Sequence, residues 1–169
     1  LTPKLKKFIF IDSFSNKFFY KKDKIKINLI ISKSGNTLET ISNSNILIKK
    51  KQLNVFLTEN KKSYLMNLAI KLKADVVHHN NFIGGRYSVL TEVGMVPAYL
   101  MGVNIFKLRE NLTSHLYGKN QNYLKDSVKK LYNLLNDKKL KNLVLLNYLP
   151  ELDKFLYWIQ QLMAESIGK

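Results

Sequence analysis

The sequence predicts an α/β fold: a three-layer α/β/α sandwich with a mostly parallel central sheet. Short apolar runs of strand length alternate with longer amphipathic segments of helical period. A polar loop that contains glycine follows one of these runs directly. The resulting order in the first half is βαβαβ, and because parallel strands need crossover helices, this order favours a sheet that is covered on both faces.

The first half supplies most of the predicted strands. Four apolar runs are long enough for a buried strand and too short for an ordinary helix, at residues 8–12, 25–31, 54–58 and 74–78. Two amphipathic helices are predicted between the later strands, over residues 38–48 and 63–73. A cluster of Ser, Asn and Thr precedes the first helix and is typical of a helix cap.

The second half is predicted to be more helical. Helices are predicted over residues 88–101, 104–117, 123–135 and 152–167. Residues 143–149 predict one more buried strand, which Pro150 ends.

Length and composition fit a single globular domain over residues 1–169. The chain has 169 residues, 46% of them hydrophobic, which is enough for a buried core. No internal repeat or linker is visible. The first residue is Leu1 and not Met, so we expect the chain to be a piece of a longer protein.

The net charge of +16 would ordinarily indicate a nucleic acid or an anionic membrane as partner. The lysines are scattered, however, and arginines that would make bidentate contacts are few. We therefore expect a solvated lysine surface and no nucleic-acid partner, with a polyanion partner as the alternative. In either case the positive field would favour a phosphorylated substrate.

Cysteine content and hydropathy limit the remaining classes. The chain has no cysteine, which excludes disulfides and thiolate chemistry and fits a reducing cytoplasm. No apolar run approaches the roughly 20 residues of a membrane helix, so no membrane partner is expected. Residues 1–7 do not have the charged-then-apolar order of a secretory signal.

The loop after the second predicted strand is a candidate phosphate site. Loops at the carboxyl ends of parallel strands present backbone N–H groups at the start of the next helix, where anions bind. Hydroxyl groups would add donors, and a glycine lets the backbone approach a ligand closely. The same residue types are also ordinary turn and cap residues, so spacing alone leaves both interpretations open. The loop consists of Ser32, Lys33, Ser34, Gly35, Asn36 and Thr37.

Three segments carry a resemblance to a known family. Residues 32–40, SKSGNTLET, resemble the phosphate loop of sugar isomerase (SIS) domains, especially that of bacterial phosphoglucose isomerases. Residues 84–94, GGRYSVLTEVG, resemble the glycine-glycine-arginine signature of phosphoglucose isomerases. Residues 160–169, QQLMAESIGK, resemble that family's segment with its catalytic glutamate.

The resemblance implies a doubly wound sugar isomerase domain and interconversion of glucose 6-phosphate and fructose 6-phosphate through a cis-enediol. It implies Glu165 as the base that moves the proton and Arg86 as the group that stabilises negative charge on the sugar. Gly85 and Gln161 are expected to contact substrate, together with the loop of residues 32–37. The resemblance also implies a homodimer for the full-length enzyme, a cytoplasmic location, and no cofactor or metal.

The family's chain is longer than this one. Its upstream glycine-rich segment and its downstream ring-opening histidine have no counterpart here, so we expect the 169 residues alone to be nearly inactive. His78, His79 and His115 match no histidine motif of the family, and adjacent strand residues point to opposite faces, which argues against a metal pair. They are predicted to be strand-end or surface residues.

Two alternatives to a glucose-6-phosphate enzyme remain from the sequence. One is a phosphosugar-sensing module with the same fold and no chemistry, which would need the Ser32 loop and not Glu165. The other is an isomerase that accepts both glucose and mannose 6-phosphate, since discrimination between these epimers depends on details of the pocket.

Overall fold

The computed structural model describes residues 8–14, 27–49, 51–137 and 142–168. The contacts divide the chain into two compact units, Leu1–Arg109 and Glu110–Lys169, which are described separately. This division into units does not test the single-domain expectation, which stays a prediction.

The first unit contains a three-stranded parallel sheet in the order β1-β2-β3. Its register places Ile30 beside Phe56, and Phe56 beside Val76. The α/β class and the parallel sheet are therefore confirmed. The strands are β1 (Ile27–Ile31), β2 (Leu53–Glu59) and β3 (Asp75–His79).

Two crossover helices connect these strands, α1 (Leu38–Leu47) and α2 (Tyr64–Leu72). Right-handed crossovers in this strand order place both helices on one face of the sheet. On that face Phe56 packs with Leu65 and Ala69 of α2, and all three side chains are fully buried. This cluster is the core of the first unit.

The opposite face of β2 is covered as well. Leu57 alternates with Phe56 along the strand, so its side chain lies on the other face, in register with Ile31 and Val77. It is also fully buried. Burial on both faces explains why residues 55–57 form a continuous apolar run and do not alternate.

The predicted helix over residues 88–101 begins later than expected. A 3₁₀ helix, Gly85–Leu90, comes first, and α3 follows as Glu92–Leu100. Thr91 separates them because its hydroxyl donates to the Ser88 carbonyl (2.6 Å) and accepts from the Val93 N–H (3.4 Å), which caps α3.

Short and long helices form the rest of the described chain. The predicted helix over residues 104–117 is divided in two, with one part in each compact unit. The last two predicted helices are confirmed within a few residues. The elements are α4 (Ile105–Arg109) in the first unit, and in the second unit α5 (Leu112–Tyr117), α6 (Gln121–Asn136), a 3₁₀ helix (Pro150–Leu152) and α7 (Asp153–Ile167).

Two predicted strands are wrong. Residues 8–12 and 143–149 adopt neither strand nor helix. An apolar run becomes a strand only when a neighbouring strand accepts its backbone hydrogen bonds. Neither run has such a partner in the described ranges. For the strand predicted at residues 25–31, positions 25 and 26 lie outside the described residues.

Candidate active site

The loop of residues 32–37 leaves the carboxyl edge of the sheet, as the sequence predicts. Ser32 directly follows β1, and its N–H donates to the Leu57 carbonyl of β2 (3.0 Å). The Glu59 N–H then donates to the Lys33 carbonyl (3.0 Å). The first two loop residues thus continue the pairing of β1 with β2, and the sheet fixes where the loop begins.

Gly35 forms the turn of this loop, and the position requires glycine for two reasons. Its φ of 66° lies in the left-handed region that side chains disfavour. A Cβ here would also overlap the Ser63 hydroxyl and come within 2.7 Å of Ser63 Cβ and 2.9 Å of Thr58 Oγ1. The backbone of the loop therefore packs directly against the start of α2.

Two further bonds join the loop to α2. Asn36 Oδ1 accepts from the Tyr64 N–H (2.9 Å), and the Gly35 carbonyl accepts from the Leu65 N–H (3.0 Å). These are N–H groups of the first turn of α2, which have no partner within their own helix. The loop satisfies them and is itself held in one conformation.

The hydroxyl groups of Ser32 and Thr37 meet across the loop at 2.7 Å. Ser32 is buried and Thr37 is exposed at the start of α1. Among the described residues, the Thr37 side chain makes no capping hydrogen bond to α1, although it occupies the cap position. The first N–H groups of α1 therefore remain directed out of the helix beside two hydroxyl groups, which is favourable for an anion.

Some backbone N–H groups of the loop already have partners, and others lie at the start of α1. Gly35 N–H donates to the Ser32 carbonyl (3.2 Å), and Asn36 N–H donates to Ser34 Oγ (3.2 Å). Both of these predicted phosphate donors already have partners within the loop. The N–H groups of the first turn of α1, after Thr37, are the other donors, at the helix start where the sequence predicts that an anion binds.

The Lys33 side chain turns toward β2. Its Nζ lies 3.3 Å from Glu59 Oε1, and Lys61 pairs with the other carboxylate oxygen. The hydrogen bond from Lys61 lowers the pKa of Glu59, whereas burial raises it. The bond from Lys33 lowers the pKa further, so the net pKa of Glu59 lies below its ordinary value of 4.5. Glu59 is 3% exposed and was not identified from the sequence.

Arg86 lies in the 3₁₀ helix that follows β3. Its side chain is half-buried, and the guanidinium carbon lies 5.8 Å from the centre of the Tyr87 ring. Ser88 Oγ donates to the Gly85 carbonyl (2.6 Å). A Cβ at Gly94 would overlap the Val89 carbonyl, so this 3₁₀ helix packs closely on α3.

His79 ends β3 and is buried, whereas His78 is exposed, so the prediction that the two point to opposite faces is confirmed. His79 Nδ1 lies 2.5 Å from Glu92 Oε1, and His79 Nε2 lies 3.0 Å from the Ile83 carbonyl. Glu92 Oε1 also accepts from the Asn80 N–H (3.2 Å). These bonds close the turn between β3 and Arg86.

The pKa of Glu92 is determined by opposing effects. Burial raises the pKa, but hydrogen bonds from its own backbone N–H, from His79 and from the Asn80 N–H together outweigh burial. The net pKa lies below the ordinary value of 4.5, so Glu92 is a carboxylate at neutral pH.

The remaining predicted residues lie in the second unit, on α7. Gln161 Nε2 donates to Glu165 Oε1 at 2.9 Å, so these two residues, one helical turn apart, share one face of α7. Both side chains are exposed. The structure thus brings together the loop residues in the first unit and Gln161 with Glu165 in the second, while the chemical roles of all these residues stay predictions.

No group of three or more His, Asp or Glu side chains in the described part of the chain is arranged to bind a metal ion. None of the helices there has the length and apolar character needed to cross a membrane.

The parallel sheet with a polar, glycine-containing loop at its carboxyl edge defines an α/β protein of the class that binds ligands at that edge. Comparison with known proteins gives the particular family. Over an alignment of 152 positions, the chain is 38% identical to the glucose-6-phosphate isomerase of Methanocaldococcus jannaschii, and the alignment covers 83% of this chain and 37% of that protein. The identity to the glucose-6-phosphate isomerase of Onion yellows phytoplasma is 33%, with 92% of this chain and 40% of that protein covered. The identity to the glucose-6-phosphate isomerase of Campylobacter jejuni is 30%, with 96% of this chain and 43% of that protein covered.

The chain belongs to the glucose-6-phosphate isomerase family. It spans about two fifths of the length of the curated relatives that it matches. No protein-family profile matches it.

Proposed function

We propose that the full-length protein is an aldose–ketose isomerase that interconverts glucose 6-phosphate and fructose 6-phosphate in glycolysis and gluconeogenesis. The observation that supports this proposal is the pair of hydroxyl groups, of Ser32 and Thr37, beside the first N–H groups of α1, in a chain whose relatives are named glucose-6-phosphate isomerases. Hydroxyl groups and backbone N–H groups are donors that suit the oxygens of a phosphate monoester.

The phosphate binds at the hydroxyl groups of Ser32, Ser34 and Thr37 and at the N–H groups that begin α1. Because this end of the sugar does not react, its binding energy can position the reacting carbons. The contacts of Gly35 and Asn36 with α2 prepare the loop before substrate arrives. Little ordering remains to be done on binding, which favours affinity.

Glu165 transfers the proton. Its carboxylate takes the proton from C2 of the open-chain aldose and returns it to C1, while a proton moves from O2 to O1 as the carbonyl shifts from C1 to C2. Gln161 donates to Glu165 Oε1 and so orients the carboxylate. A side chain that orients the base in this way does not itself need to exchange protons.

Arg86 stabilises the enediol. Negative charge develops on the sugar oxygens when the C2 proton leaves, and a fixed guanidinium lowers the energy of that state more than the energy of bound substrate. The Tyr87 ring beside the guanidinium and the short 3₁₀ helix restrict where Arg86 can reach.

The proposal also covers the ligand, the cofactor requirement, the oligomeric state and the location of the full-length protein. The sugar phosphate is the ligand, no cofactor takes part, the full-length protein acts as a homodimer, and its location is cytoplasmic. Absence of cysteine from a chain of 169 residues supports a reducing compartment.

A coupled assay on the full-length protein tests the function. Glucose 6-phosphate should be converted to fructose 6-phosphate, and Arg86→Ala should lower kcat by about 10²-fold or more, as expected for a lost charge-stabilising donor. Arg109→Ala, at an exposed arginine of α4, is the matched control and should keep wild-type turnover. Equal turnover with mannose 6-phosphate would make the enzyme a dual isomerase, and absence of turnover with both sugars would overturn the proposal.

A further inference from the structure

The turn between β3 and Arg86 is organised by a buried histidine. His79 is 2% exposed, the lowest exposure of the three histidines of the chain, all of which are described. Both of its ring nitrogens lie within hydrogen-bond distance of an oxygen, the Glu92 carboxylate on one side and the Ile83 carbonyl on the other. Ile83 directly precedes Gly84, Gly85 and Arg86.

We propose that His79 is a positioning residue for Arg86: it donates to the Ile83 carbonyl and so determines where the 3₁₀ helix that carries Arg86 begins. This role toward Arg86 rests on the proposed isomerase function. The effect on the turn itself does not depend on that function.

His79 and Glu92 together hold the two ends of this turn. The Ile83 carbonyl can only accept, so the ring nitrogen that faces it, Nε2, is the donor in that bond. The Glu92 carboxylate lies against Nδ1 and uses the same oxygen to accept from the Asn80 N–H at the start of the turn.

Two carboxylates lie near His79, one on α3 and one on the neighbouring strand β2. Glu92 faces it from α3, and Glu59 is its register partner on β2. The charge of Glu59 is balanced by Lys33 and Lys61, which leaves Glu92 as the carboxylate bonded to the ring. Exposed His78 lies on the opposite face of β3 and takes no part.

Two substitutions at His79 separate its two bonds. In His79→Gln the amide nitrogen lies near the position of Nε2 and can still donate to Ile83. In His79→Asn it lies near the position of Nδ1 and can donate only to Glu92. If the Ile83 bond positions Arg86, the Gln variant should keep kcat within about threefold of wild type, and the Asn variant should lose up to about 100-fold in kcat with KM little changed, the scale of a misplacement near 1 Å.

The experiment measures kcat and KM of the full-length protein for both variants, alone and combined with Arg86→Ala. His78→Gln is the matched control on the exposed face and should behave as wild type. His79→Asn should lower kcat no further when Arg86 is already absent. A full additional loss in that background, or equal kcat for the Asn variant and wild type, would overturn the proposal.

Hydrogen exchange of the amides of residues 80–87 in the same proteins provides a test that is independent of activity. His79→Asn should speed exchange in this turn, and His79→Gln should leave it close to wild type. If wild type shows no isomerase activity, the proposed function fails, and these exchange rates alone decide the role in the turn. Unchanged exchange in His79→Asn would overturn that role.

Discussion

The loop of residues 32–37 and the last helix, α7, both carry residues predicted to act on the substrate, but their surroundings differ. The loop contacts β2 and α2 through backbone and side-chain bonds, and Gly35 has no room for a side chain. Glu165 is exposed on α7, and the bond from Gln161 spans one turn of the same helix. The predicted phosphate loop is therefore held by long-range contacts, whereas the bond that orients the predicted base lies within a single helix.

This difference gives a rule for interpreting substitutions. A change at the buried turn of the loop should alter affinity and fold stability together, because Gly35 packs against the start of α2. A change at Glu165 should alter turnover alone, because its side chain is exposed on α7.

The largest effect is expected at Glu165. Glu165→Gln keeps the shape and removes proton acceptance, so kcat of the full-length protein should fall by about 10²-fold to 10⁴-fold with KM little changed. Steady-state kinetics checks this. Glu151→Gln, at an exposed glutamate just before α7, is the matched control. A comparable loss of kcat in Glu151→Gln would contradict the assignment of Glu165 as the base.

Gly35→Ala should be next in size. The left-handed φ alone costs about 1–3 kcal/mol for a side chain, and overlap with Ser63 adds to it, so phosphate binding and stability should both fall. Urea unfolding and titration with inorganic phosphate measure the two effects. Gly102→Ala is the control, because that glycine has a φ of 87° with nothing within 4 Å of a Cβ, and it should lose stability without losing phosphate affinity.

Thr37→Ala should mainly raise KM. Loss of one hydroxyl donor to a charged phosphate removes about 1.5–3 kcal/mol of binding, or roughly 10-fold to 100-fold in KM. Thr37→Ser keeps the hydroxyl and should restore most of the affinity. If both variants bind glucose 6-phosphate as tightly as wild type does, the Thr37 hydroxyl is not a phosphate ligand.

The smallest predicted effect is a loss of stability at low pH. Glu59 and Glu92 both have pKa values lowered below 4.5 in the folded protein, so their contribution to stability is fully present above pH 4.5 and is lost as the pH falls through the folded values. Unfolding in urea should therefore need less denaturant at about pH 4 than at about pH 7. Glu59→Gln should reduce this difference, and Glu151→Gln should leave it as in wild type.

The sequence was sufficient for the local parts of this account. Hydrophobic spacing predicted all three strands of the sheet and the helices α1, α2, α6 and α7, and the residues around Gly35 predicted a loop at the carboxyl edge. The predicted reason for Gly35 was close approach to a ligand. The structure adds its left-handed φ and its packing against Ser63.

Long-range pairs were not predictable in the same way. Glu59 with Lys33, and His79 with Glu92, lie on different elements, and their contacts follow from strand register and from where α3 begins. The failure at residues 8–12 and 143–149 has the same origin, since an apolar run does not specify a pairing partner.

Deuterium exchange in the full-length protein tests the central claim most directly. Glucose 6-phosphate in deuterium oxide should acquire deuterium from solvent at C2 with wild-type protein, because the carboxylate of Glu165 exchanges its proton with solvent between removal and return. Glu165→Gln should abolish this incorporation and still bind inorganic phosphate with wild-type affinity at the loop of residues 32–37. Incorporation at the wild-type rate by Glu165→Gln would contradict the account.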